Sequence, residues 1–278
     1  MSDEDLSIWD VDGGSAARSY ARSPYTHYRE EIYPLIGQIL DGLGDGIRVL
    51  DVGAGPGHCA AEFYRRRPDS RTRFVLLDVG EAMLDIAREQ LGALRVPCAF
   101  HVRDFNDPDW HAGLGQFDAI VSNNALFHLL PDRVGAYYRE AYRLLRADGV
   151  LLNHQSFGHE DPAFGAAVEH FPQALAWWRG WSDEERLRAE EARRESDELL
   201  AAAEARREKA PGGAQKGEES EGAPAYASLH LPVTEHIQHM RRAGFSAGCI
   251  WRKMESAVLA GIKGRPFTGT SENRPSGD

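Results

Sequence analysis

Val49-Leu50-Asp51-Val52-Gly53-Ala54-Gly55-Pro56-Gly57 decides how this chain is read. An apolar run closes on an acid, enters a glycine turn and leads into a helix expected over 58–66. Glycines have no Cβ and tolerate positive φ, so the backbone of such a turn can come close to a nucleoside-containing ligand. The first N–H groups of the helix face the same turn.

The glycines fall at 53, 55 and 57, with His58 where a dinucleotide fingerprint would need glycine. No Gly-Lys-Ser/Thr follows, which excludes a phosphate-cradling loop. Asp51 would repel phosphates and suits a ligand with a cationic end, such as an amino acid carrying a sulfonium. The plainer alternative is a strand-turn-helix whose glycines serve packing alone.

Three further strands end in polar residues. Arg73 to Asp78 closes on an acid 21 residues after Gly57, near the offset of about 20 at which nucleotide-binding folds place a ribose-binding carboxylate. Pro97 to Val102 runs into Arg103-Asp104-Phe105, an acid and a ring suited to an adenine edge and face. Phe117 to Asn124 is the fourth run. Four such strands predict a crevice at one edge of a parallel sheet.

Together these motifs resemble the class I S-adenosylmethionine-dependent methyltransferases, of the small-molecule type akin to methyltransferase domains 11 and 25. The resemblance rests on DVGAGPG at 51–57, LLDVGEAM at 76–83, RDF at 103–105, FDAIVSNNALFHL at 117–129 and LLRADGVLL at 144–152. It covers 45–157 and returns at 233–263. It implies an α/β fold: a Rossmann-like, doubly wound, mostly parallel seven-stranded sheet with a C-terminal antiparallel hairpin and a helical insertion after the fifth strand. It also implies S-adenosylmethionine as cofactor and S-adenosylhomocysteine as product. Carried over by position, Asp51, Gly53, Ala54, Gly55 and Gly57 would surround the methionine part. Asp78 and Val79 would meet the ribose, Met83 would pack on the adenine, and Asp104 and Phe105 would hold its other edge. Asn123 would face the methionine end through its backbone.

The 32 basic and 43 acidic residues leave a net charge of −11, which opposes broad nucleic-acid binding. The three cysteines, Cys59, Cys98 and Cys249, have neither metal nor disulfide spacing. With an acidic N-terminus and no apolar run near the about 20 residues of a membrane span, the expectation is a cytoplasmic protein with no membrane or metal role.

The chain divides into a disordered start (1–14), a helical cap (15–44) interrupted at Pro24 and Pro34, the core (45–157), an insertion (158–226), a C-terminal completion (227–264) and a disordered tail (265–278). Helices are expected over 58–66, 81–92, 132–146 and Val233 to Ala243, the last ended by Gly244. Asp148-Gly149 is expected to turn into a fifth strand over Val150 to His154. A hairpin over Ala247 to Lys253 and Ser256 to Lys263 should pack Trp251 and Met254 inward. In the insertion, 183–209 reads as a charged, solvated helix and 211–225 as a mobile linker.

In the resembled family an N-terminal helix closes over the cofactor. This makes Tyr20 a candidate for the methionyl carboxylate, with Arg18 behind it, and Tyr28 and Tyr25 candidates for the substrate. A half-buried helix face explains these tyrosines equally well. Trp177, Trp178 and Trp181 must cover something apolar: a substrate pocket, a dimer contact or the domain's own helices, with the pocket favoured and a homodimer left open.

His128 is the best candidate for a base or an acceptor-orienting group, since its loop resembles the family's Asn-x-Leu-His-His-Leu stretch, with Phe127 replacing the first His. A structural histidine is the rival explanation. His154, Gln155 and Glu160 rank behind it. His230, His236 and His239 are read as structural. The leading function is transfer of a methyl group to an oxygen or nitrogen, with carbon third, of a small, partly apolar molecule of specialised metabolism. RNA or protein methylation and a non-catalytic cofactor-binding role are the alternatives.

Overall fold

In the computed structural model the described residues are 7–10, 13–22, 27–161, 163, 230–253 and 256–264, together with isolated positions between 182 and 198. Tyr25, Trp177, Trp178, Trp181, Met254, the linker and the C-terminal tail lie outside them, as do the side chains of 27–30, Tyr28 included.

Apolar runs become strands covered on both faces. Every residue from Val49 to Val52 is at most 1% exposed, as expected for parallel strands with helices on either side. The elements in order are α1 (Ser15–Arg22), α2 (His27–Gly42), β1 (Arg48–Val52), α3 (His58–Arg66), β2 (Arg73–Asp78), α4 (Glu81–Ala93), β3 (Cys98–Val102), β4 (Phe117–Asn123), a single 3-10 turn (Leu126–His128), α5 (Val134–Leu144), β5 (Leu145–Ser156), α6 (Val233–Ala243), β6 (Ser246–Lys253) and β7 (Ser256–Ile262).

These strands form one seven-stranded sheet in the order β3-β2-β1-β4-β5-β7-β6. The first five are parallel, and β7 runs antiparallel to both neighbours. Winding reverses between β1 and β4, so the crevice opens at their carboxyl ends. On one face Leu50, Ile120 and Leu151 pack with Tyr137 and Met240 of α5 and α6. On the other, Val49, Leu76, Val121 and Leu152 meet Ile36, Phe63 and Leu84 of α2, α3 and α4.

The structure corrects three expectations. Helix α2 passes through Pro34; Ile32, Ile36 and Leu40, each at most 1% exposed, hold it together where a backbone bond is lost. Asp148-Gly149 lies inside a longer β5, as a bulge against β4 with Asp148 at φ 60. Within the start expected to be disordered, the described Ser7 and Ile8 are buried, at 5% and 4% exposure.

The ends of the insertion are tied together. Gly158 N–H donates to Leu231 O (3.1 Å), and Gly158 bridges Pro232. A Cβ on Gly158 would lie 2.0 Å from His230 O, so only glycine permits this closure.

Candidate active site

The glycine turn is drawn over β2. Gly53 and Ala54 donate their N–H groups to Leu77 O at 2.8 and 3.0 Å, with Gly53 and Gly55 at φ 67 and 52. A Cβ on Gly53 would lie 2.3 Å from Ala125 Cβ and 3.7 Å from the Phe105 ring, so its absence lets the loops after β3 and β4 close on the turn. Gly55 faces Tyr20, whose ring edge would be 3.9 Å from such an atom. Gly57, at φ 78, serves packing as well. Its missing Cβ points into the core, 3.1 to 3.2 Å from Leu76, Ala87 and Leu91.

Two acids lie beneath this turn. Asp78, 7% exposed, accepts Gly55 N–H on Oδ2 (2.8 Å) and Gly80 N–H on Oδ1 (2.9 Å). Burial pushes its carboxyl up to about 6, against the backbone donors of Gly80, Gly55 and Val79 and with Asp10 adding to the rise. A carboxylate has about four acceptor sites, so the two amides leave capacity for vicinal hydroxyls. Asp51 is 1% exposed. Burial, then the nearby Asp78, pushes it up to about 7, and its buried Oδ2 has no hydrogen-bond partner among the described residues. A buried, unpartnered carboxylate beside another acid calls for a cationic ligand group. The positive-φ turn and the two acids therefore fit a sulfonium amino acid joined to a ribose.

The N-terminal segment crosses the turn. Trp9 packs on Gly80, its Cβ 2.7 Å from where a Gly80 Cβ would lie. Asp10 Oδ1 accepts Ala82 N–H at 2.6 Å and caps α4. Trp9 meets Tyr20 edge to face at 5.6 Å, which holds Tyr20 above Gly55. Arg18 turns to Gly13 O (2.5 Å). Met83, 2% exposed, follows on the first turn of α4, after a half-buried Val79. Asp104 accepts Asn106 N–H on Oδ1 (2.8 Å), and Phe105 is buried beside Gly53.

At the end of β4 the Asn123 side chain, and not only its backbone, is engaged. Its Nδ2 donates to the Tyr33 hydroxyl (3.0 Å), and its Oδ1 accepts from His154 Nδ1 (2.5 Å). Asn124 follows in the left-handed region at φ 58. Asn106 clamps the next turn by donating to His128 O (3.1 Å) and accepting Leu130 N–H (2.8 Å).

His128 is half-buried. Burial, then His230, presses its imidazole down to about 4, while Asp104 pulls the other way. It is neutral at neutral pH and can accept a proton. Phe127 lies 4.2 Å from it, ring to ring, and stacks on His230 at 5.4 Å and 19°. The other histidine and acid candidates are engaged elsewhere. Gln155 and His236 are fully buried and face each other at 3.4 Å. Glu160 accepts the Thr234 hydroxyl (2.6 Å) at the start of α6. His154 is 2% exposed, behind the sheet end.

Sequence reasoning missed Trp9, Asp10, Tyr33 and Asn106. Only the polar ends of β3 and β4 signalled Asn106. The others act through contacts 70 to 90 positions away in the chain. Among the described residues no cluster of acids, histidines or cysteines could hold a metal, and no helix is long and apolar enough to cross a membrane.

The model of a methyltransferase domain family matches residues 49–149. No curated protein sequence matches the chain. Among solved structures, an O-methyltransferase family protein from Burkholderia thailandensis is 16% identical, with TM-score 0.53, over 85% of this chain and 58% of that one. Human N-acetylserotonin methyltransferase, solved in complex with SAM, is 14% identical, with TM-score 0.53, over 93% and 58%. A protein of Methanococcus maripaludis described as an S-adenosyl-L-methionine-dependent methyltransferase is 17% identical, with TM-score 0.52, over 90% and 92%. The chain spans about three-fifths of the first of these structures. The likenesses establish the fold, and residues 49–149 are similar to a methyltransferase domain.

Proposed function

We propose that this chain is a class I, S-adenosylmethionine-dependent enzyme that methylates a small, partly apolar molecule at oxygen or nitrogen, releasing S-adenosylhomocysteine, in keeping with the similarity of residues 49–149 to a methyltransferase domain. The observation that carries the proposal is the pair of buried acids under the glycine turn, with Asp51 Oδ2 unpartnered. A sulfonium bearing an α-ammonium supplies the missing positive charge, and when bound it brings a methyl group already activated for in-line displacement.

The protein's own part is binding, alignment and water exclusion. Asp51 and Asp78 balance the ligand's charge, and Asp78 also takes the ribose hydroxyls. The Gly53–Gly55 backbone lies against the methionyl part. Met83, Asp104 and Phe105 bound the base, Val79 borders it, and Tyr20 closes the turn from above. Phe127 borders the acceptor side; Tyr25, Tyr28, Trp177 and Trp178 stay substrate candidates on the sequence alone, outside the described side chains. His128, neutral near pH 7, takes the acceptor's proton on a ring nitrogen where the acceptor carries one. The acidic balance supports a small-molecule acceptor over a nucleic acid. The unpaired Cys59, Cys98 and Cys249 support a reducing cytoplasm.

Calorimetric titration of the purified chain with S-adenosylhomocysteine tests the first half of the proposal, with tight one-to-one binding expected. A panel of phenols, amines and carbon acids, incubated with methyl-labelled S-adenosylmethionine, tests the second. Absence of binding at millimolar cofactor would overturn the proposal.

A further inference from the structure

A polar row crosses an otherwise apolar face of the sheet at the level of the glycine turn. Asn123 of β4 lies directly beside His154 of β5 in the parallel register. His154 Nδ1 faces Asn123 Oδ1 at 2.5 Å, and His154 Nε2 faces Ser256 Oγ of β7 at 2.9 Å. At the other end Asn123 Nδ2 reaches the Tyr33 hydroxyl of α2 at 3.0 Å. Val121 and Leu152, two positions back on the same face, belong to the apolar core. Polar groups this deep are retained at a cost unless they are paired.

The chemistry fixes a direction along this row. An amide oxygen only accepts, so His154 Nδ1 must carry the proton. With a single proton on the ring, Nε2 is an acceptor and Ser256 Oγ–H donates to it. The Asn123 amide is thereby held with its N–H₂ toward Tyr33 and its oxygen turned away. His154 also grips the next residue through its carbonyl, which accepts Asn124 N–H at 2.6 Å. Asn124 is the left-handed residue from which the Phe127–His128 turn departs.

We infer that His154, oriented by the Ser256 hydroxyl, is a positioning residue for methyl transfer. It sets the Asn123 carboxamide and the Asn124 kink, and so the spacing between the cofactor's methionyl end and the acceptor-side turn. The edge hairpin β6–β7 thus contributes to the site through one hydroxyl. This inference rests on the proposed cofactor reading.

The test uses the full-length chain with S-adenosylhomocysteine as the probe, in wild type, Ser256→Ala, Ser256→Thr and His154→Gln. Ser256→Ala should weaken binding about three- to ten-fold, the effect of one buried hydrogen bond, and lower the melting temperature, because His154 Nε2 loses its partner. Ser256→Thr, which keeps the hydroxyl, should restore affinity. In ¹⁵N spectra of the imidazoles His154 should carry its proton on Nδ1, and its signal should shift on adding the probe. Unchanged affinity in both Ser256→Ala and His154→Gln, or a proton on Nε2, overturns the inference. Should Ser256→Ala melt early, the His154 spectrum of the wild-type protein still decides the tautomer. A wild-type chain that ignores the probe instead defeats the cofactor reading on which the inference stands.

Discussion

Asp10 and Ala82 are joined across 72 positions of the chain, the Asp10 carboxylate accepting the Ala82 N–H at 2.6 Å. This bond, with the packing of Trp9 on Gly80, anchors the N-terminal segment to the first turn of α4, four residues after Asp78. Removing it should loosen both. Asp10→Ala is expected to cost about 1 kcal/mol, the value of a helix cap. It should speed amide exchange at Ala82 and lower affinity for S-adenosylhomocysteine. Exchange at Ala82 as slow as in wild type would sink this assignment.

Asp78→Ala removes the acceptor for Gly55 and Gly80 N–H along with the expected ribose contact. Each buried donor left unpaired costs about 1–3 kcal/mol. Calorimetry should show at least a ten-fold loss of cofactor affinity, with a lower melting temperature. Unchanged affinity would remove Asp78 from the cofactor site.

Asp51 makes the ligand-free protein less stable at neutral pH. Its folded carboxyl is raised to about 7 from an ordinary 3.8. Its protonated form therefore favours folding below about pH 4, and that advantage is lost as pH rises through about 7. Asp51→Asn should melt higher than wild type at pH 8, with the gap closing toward pH 4, and should bind the sulfonium cofactor more weakly. Melting curves across this range check the sign. A variant less stable at pH 8 contradicts the burial argument.

His128 has the opposite sign. Its folded value near 4 lies below the ordinary 6.5. Stability is lost as pH falls from about 6.5 toward 4, because the unfolded chain takes up the proton first. As a base, His128 would remain deprotonated down to about pH 4, so the kcat/KM profile should lack an inflection near 6.5 from this group. His128→Ala should slow turnover about 10²-fold or more. A rate within a few-fold of wild type would make it structural.

Gly53 and Gly13 share a left-handed backbone, φ 67 and 61, but only Gly53 is crowded, with Ala125 Cβ 2.3 Å from the place a Cβ on Gly53 would take. Alanine at Gly13 should cost about 1–2 kcal/mol for conformation alone. Alanine at Gly53 should cost more and also abolish cofactor binding. Urea midpoints of the two variants separate the terms. Equal midpoints would mean that the loops yield freely.

Helix α3 over His58–Arg66 and helix α6 over Val233–Ala243 were legible in the chain because a glycine marks one end of each. The parallel sheet was legible because both-face burial writes itself as an unbroken apolar run. Less visible were contacts made at a distance. Trp9 on Gly80, Asn123 on Tyr33 and Asn106 on the His128 turn each join segments whose local sequence carries no sign of the partner. The helix through Pro34 belongs with these, since tertiary burial of Ile32, Ile36 and Leu40 overrode a local breaker. The resemblance singled out Asp51 and Asp78, while the backbone donors that hold Asp78 became visible only with the chain folded.

The Gly158–Leu231 tie means that whatever lies between them leaves and re-enters the sheet at a single doorway. Chain length there is uncoupled from strand register, and lengthening it adds a closure penalty that grows only logarithmically. A longer or shorter stretch between Gly158 and Leu231 would leave the pairing of β5 with β4 and β7 as it is.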